Sequence, residues 1–107
     1  PVETVLAEKI ETILSRGTDN TRPRDFYDVY MLSSLSYDSE VLRDAFRATA
    51  SHRGSIDKIS DYAGIIDEIS NDAVMNARWN NYAKQMPYAS EITFNETIGA
   101  LKNLHFC

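Results

Sequence analysis

A single cysteine, Cys107 at the last position, is all the thiol the sequence carries, so neither an intrachain disulfide framework nor a zinc site of several thiolates can be built. A reducing compartment, the cytoplasm, is the expectation that follows. No apolar run approaches the roughly 20 residues a membrane helix needs, and no charged-then-apolar leader opens the chain, so no membrane partner is expected. Glycine and proline are sparse, four and three, and no glycine-rich phosphate loop is present. There are two histidines, and no spacing of His, Cys and carboxylates suits a metal. Positive charge is in deficit: 11 basic residues against 16 acidic ones leave a net charge of -5, so any phosphate binding has to be local.

What remains is a chain of 107 residues, 43% hydrophobic and 25% charged, of single-domain size and ordinary globular composition. Apolar residues recur at helical spacing with almost no period-2 stretch, which predicts an all-α fold, a compact bundle of about five to six helices. The first helix runs from about Glu3 to Arg16, with Leu6, Ile10, Ile13 and Leu14 on one face, Glu8 and Glu11 on the opposite solvated arc, and Gly17 as its stop. After a polar loop, Pro23 opens a second helix to about Leu35. Phe26, Tyr27, Val29, Tyr30, Met31, Leu32 and Leu35 wrap most of its circumference, which predicts the central, buried helix. A third helix spans about Asp38 to Ser51 with Val41, Leu42, Ala45 and Phe46 inward, and a fourth spans about Ile56 to Ile69. Asp72 is in position to cap a fifth, Ala73 to about Met86, with Val74, Met75, Trp79 and Tyr82 recurring. Thr93 and Glu96 have the spacing of a capping box before a sixth.

Several charges break this pattern. Lys9 falls inside the apolar arc of the first helix, and Arg16 lies two turns on along the same stripe. Lys9 is either a snorkelling side chain with its ammonium at the edge of the core, or a cation held for a phosphate or carboxylate. Asp25 and Asp28 sit in the first two turns of the second helix beside Val29, Leu32 and Leu35. Acids there complement the helix dipole; they can also pair with Lys9 to hold two helices in register, or serve as a general base. Over residues 16 to 24, Arg16, Arg22 and Arg24 outnumber Asp19, a local surplus of cations in an acidic chain. The stretch from Ser55 to Asp72 holds five acids against Lys58 alone and reads as a solvated face, or as a surface for a basic partner.

The run Glu3-Thr4-Val5-Leu6-Ala7-Glu8-Lys9-Ile10, then Ser15-Arg16-Gly17, then Arg24-Asp25-Phe26-Tyr27-Asp28-Val29-Tyr30 resembles the C-terminal half of the AbiEii/AbiGii family of toxin nucleotidyltransferases. The resemblance covers about residues 2 to 35. It implies that Lys9 binds nucleotide phosphate and that Asp25, with Asp28 the second acid of its block, is catalytic; the cation surplus over residues 16 to 24 adds Arg16 and Arg24 as candidate phosphate binders. It also implies that the chain is the helical C-terminal portion of a larger protein whose missing N-terminal domain carries a Gly-Ser motif and paired aspartates for magnesium. The full-length parent would then use magnesium and a nucleoside triphosphate to modify an acceptor, in some members tRNA, under control of an antitoxin protein. This chain alone would bind neither cofactor and would be inactive. The competing expectation is a noncatalytic helical interaction module in which Lys9 and Asp25 form a structural pair.

Overall fold

A computed structural model describes all residues, Pro1 to Cys107. It has six α-helices and no strand. Helix α1 is Val2–Arg16, α2 Arg24–Ser33, α3 Ser39–Arg53, α4 Tyr62–Asn71, α5 Ala73–Gln85 and α6 Phe94–Asn103, with short 3-10 turns at Gly17–Asp19 and Pro87–Ala89. No helix is long and apolar enough to cross a membrane.

The helix starts are set by side chains that take up free backbone N–H groups. Asp38 accepts from the amides of Glu40 and Val41 at the head of α3, and Asp72 from that of Met75 at the head of α5. Thr93 and Glu96 form the reciprocal capping box at α6. Two stops use left-handed backbone: Gly17 at φ 53° ends α1 and Gly54 at φ 69° ends α3, conformations a Cβ would penalise.

The fourth helix begins later than the periodicity predicts, at Tyr62 instead of about Ile56. Asp61 is the reason: its carboxylate accepts from the Gly64 amide and fixes the start there. The preceding residues form a turn pinned by the buried side chains of Ser55 and Ile59. The second helix is not the central one. Only Asp25, Phe26 and Val29 of α2 are buried, while Met31 and Leu35 are about half exposed. Helix α1 takes that place: it packs against α2, α3 and α4, and buries Leu6, Ala7, Ile10, Glu11, Ile13 and Leu14. Val41 and Val74, expected inward, are likewise about half exposed.

One apolar core joins all six helices. Phe26 of α2 meets Phe94 of α6 edge-on, with ring centroids 5.2 Å apart, and Trp79 of α5 stacks beside Phe94 at 6.2 Å. The buried Trp79 donates its indole N–H to the Ile92 carbonyl at 2.9 Å, so the large ring enters the core without an orphaned donor. After α6 the chain turns back so that Leu104 and Phe106 join the core, Phe106 lying edge-on to Phe46 of α3. The consequence for function is the crossing of α1 by the first turn of α2, with the end of α3 alongside.

Candidate functional site

The α1 periodicity places Lys9 at the border of the buried face, and the first turn of α2 brings its acids to the same place. Lys9 Nζ lies 2.9 Å from Asp28 Oδ2 and 3.4 Å from Asp25 Oδ1. The lysine side chain is 26% exposed, Asp28 21% and Asp25 only 2%, so the pair is half-buried and open on one side. Both structural possibilities raised by the sequence, a lysine at the core edge and an ion pair across two helices, are realised in one arrangement.

Asp25 is fixed on every side. Its Oδ2 accepts from Asn20 Nδ2 at 3.3 Å, and Arg22 stands 3.8 Å from Oδ1. Asn20 is itself buried, and its Oδ1 accepts the Arg22 backbone amide at 2.8 Å, closing a tight turn ahead of α2. From below, Arg78 of α5 donates to the carbonyls of Thr18 at 3.2 Å and Asn20 at 3.1 Å, clamping that turn to the bundle. None of this was legible in the sequence. Asn20 looks like any loop polar residue, and Arg78 reaches the turn from about sixty positions away.

A second buried polar cluster lies two residues further along α1. Glu11, expected on the solvated arc, is 3% exposed. It accepts from Ser15 Oγ at 2.7 Å, Ser55 Oγ at 2.7 Å and Arg53 Nη1 at 2.6 Å. Burial works to raise its pKa, but the three hydrogen bonds and the Arg53 charge outweigh it and hold the carboxyl below its ordinary 4.5. The sequence did carry a signal for this: Ala7, Glu11 and Leu14 share a helical stripe, and both apolar members are buried.

Between the two clusters opens a groove of about 360 Å³ with no hydrophobic residue in its lining. Four cations, Lys9, Arg16, Arg22 and Arg53, face two carboxylates, Glu8 and Asp25, with the Thr12 hydroxyl between. The structure thus brings Lys9, Arg16 and Asp25 to one groove, with Asp28 bonded to Lys9. Arg24 does not join them: it is 70% exposed and lies 3.7 Å from Asp28 outside the groove. Arg53, the last residue of α3, takes a place on the wall.

A family model for the nucleotidyl transferase AbiEii toxin of type IV toxin–antitoxin systems matches residues 1–100. The chain belongs to the AbiEii family. No curated protein and no solved structure gives a significant match to it. The family match extends well beyond the two blocks that carry the resemblance in sequence, so α3 to α6 are part of the AbiEii unit as well. As to metal, no group of three or more His, Cys, Asp or Glu side chains is placed to hold an ion. Asp25 and Asp28 both face Lys9, and the remaining carboxylate oxygens of Asp25 and Glu11 are taken by Asn20, the serines and Arg53. The residues of this chain do not fit a magnesium site.

Proposed function

We propose that this chain is the helical portion of an AbiEii nucleotidyltransferase in which the Lys9 groove receives the phosphates of a nucleoside triphosphate. The observation that carries the reading is Lys9 itself. A lysine at a helix crossing, oriented by two carboxylates and opening onto a polar, arginine-lined groove, is suited to neutralising phosphate oxygens as charge builds on them. In nucleotidyl transfer the acceptor hydroxyl attacks the α-phosphorus. A new phosphorus–oxygen bond forms, the bond to the bridging oxygen breaks, and pyrophosphate leaves. In this proposal Asp25 is a positioning residue that orients Lys9, because its side chain is buried out of reach of an acceptor. Asp28, the more accessible acid, takes the acceptor's proton. Arg16 adds charge to the groove and Arg24 steadies Asp28. Magnesium would be held by carboxylates outside residues 1–107, in the N-terminal domain the family resemblance implies; tRNA as acceptor and an antitoxin as partner belong to the same proposal.

The test is nucleotide transfer by the full-length parent, with radiolabelled triphosphates, magnesium and total tRNA, comparing wild type with Lys9→Ala and Asp25→Ala. Transfer abolished in both folded variants supports the proposal. Transfer retained in both overturns it and leaves the second reading, an interaction module in which Lys9 is only a bridge. That reading is favoured by the 2.9 and 3.4 Å contacts, which need no ligand to explain them.

A further inference from the structure

The carboxylate of Glu11 is buried against Ser15, Ser55 and Arg53, and none of these four residues has a role in the mechanism above. Arg53 belongs to α3, forty-two positions away, yet it stands on the wall of the same groove as Lys9. Its intramolecular bonds all run through Nη1, 2.6 Å to Glu11 and 3.1 Å to the Thr12 hydroxyl. Nε and Nη2 make none, so the other edge of the guanidinium fork, on a side chain 40% exposed, is left open. Arg16 has no ion-pair partner at all, and Arg22 only the distant Asp25. A groove with three incompletely used guanidiniums, a lysine and a hydroxyl outnumbering the carboxylates of Glu8 and Asp25, and with no apolar wall, recognises an anion rich in oxygens. It has no surface on which a nucleobase could stack.

We propose that Arg53 is a phosphate-binding residue of this groove, that buried Glu11 is the residue positioning it, and that the ligand is a condensed phosphate chain such as the triphosphate of a nucleotide. The inference deepens the nucleotidyltransferase reading and rests on it. A compact groove with four cations suits a short, highly charged chain better than a nucleic-acid backbone, which needs an extended basic track. Glu11 fixes the approach of Arg53 by accepting from Nη1, which turns the remaining N–H groups outward and lowers the entropy lost when they meet phosphate.

The experiment is titration of the isotopically labelled chain with sodium tripolyphosphate at low salt, following amide resonances of residues 8–22 and 53–55 by NMR. Wild type should bind, contrary to the expectation from the resemblance that this chain alone holds no triphosphate, and the charge-conserving double variant Glu11→Gln with Arg53→Gln, which strands no buried charge, should bind at least about tenfold more weakly. Glu11→Gln alone decides the positioning role. If Glu11 acted only as a nearby negative charge, its removal would strengthen anion binding; as the residue that holds Arg53, its removal weakens it. Should Glu11→Gln fail to fold, Ser55→Ala, which loosens the same carboxylate while leaving every groove charge in place, should show a smaller loss in the same direction. Binding weakened by Lys9→Ala but unchanged in the double variant overturns the assignment of Arg53 and leaves the Lys9 proposal standing. Absence of binding by wild type overturns both. Tighter binding of a single-stranded RNA ten-mer lacking terminal phosphates than of tripolyphosphate overturns the choice of ligand.

Discussion

At the scale of residues, three charges decide how the molecule responds to substitution. Lys9→Ala removes the nearer of the two cations beside Asp25, whose side chain is 2% exposed, and leaves Arg22 at 3.8 Å. A stranded buried carboxylate costs on the order of 3 kcal/mol, tempered here by the Asn20 and Arg22 contacts, and urea unfolding of Lys9→Ala should show a loss of that order. Lys9→Arg should recover part of it. Glu11 gives the pH dependence. Its folded pKa lies below the ordinary 4.5, so its contribution to stability is fully present above the unfolded value and is lost as pH falls through the depressed folded one. Urea midpoints at pH 7, 5, 4 and 3 should therefore show the gap between wild type and Glu11→Gln narrowing as the solution is acidified; a gap that is constant across the series would rule this account out. Lys9 and the two aspartates could be picked from the sequence because they interrupt an apolar stripe. Asn20, Arg53 and Arg78 could not, because what makes them matter is a partner on another helix.

At the scale of elements, helix starts were readable and one helix boundary was not. Thr93 with Glu96, and Asp72 ahead of α5, cap where the spacing put them, since a cap acts over three residues of local chain. Thr93→Ala should cost about 1 kcal/mol and lower the thermal midpoint without changing the unfolding slope in urea. The head of α4 is not legible in the sequence, because the apolar spacing of Ile56 and Ile59 continues the helical period, whereas Asp61 caps a new start after them. Gly54 marks the same corner. Its φ of 69° and the open space around it mean that Gly54→Ala meets no neighbour, so the cost is backbone strain of about 1 kcal/mol, measurable by thermal melting. Because Gly54 sits between Arg53 and Ser55, that strain falls on the segment that ties α3 to Glu11.

At the scale of the whole molecule, a single core connects every helix to α1. Ile10→Ala, at a fully buried position on α1, should destabilise by roughly 2–5 kcal/mol, because the removed methyls leave a cavity that neighbouring helices can only partly close. Trp79 is the one tryptophan, buried beside Phe94, and its fluorescence should change in the same transition as far-UV circular dichroism. Separate transitions would show that α5 and α6 unfold apart from α1 to α3. The groove depends on this connectivity, since its walls come from α1, the turn before α2, and the end of α3, with Arg78 of α5 holding the turn.

The sequence by itself determined the helical class, most of the helix starts and the positions where charge intrudes on an apolar face, since periodicity, capping and strand-poor composition act over a few residues. It also determined the AbiEii family, through blocks confined to α1 and α2. Which helix is central was decided only by the tertiary structure, because the segment from Phe26 to Leu35 is apolar on most sides yet Met31 and Leu35 stay about half exposed, while α1 meets three helices. Tertiary structure also decided which partners meet Glu11 and that Arg53 lines the same groove as Lys9. Burial and ion pairing are properties of surfaces brought together across tens of residues, and no local pattern encodes which surface will arrive.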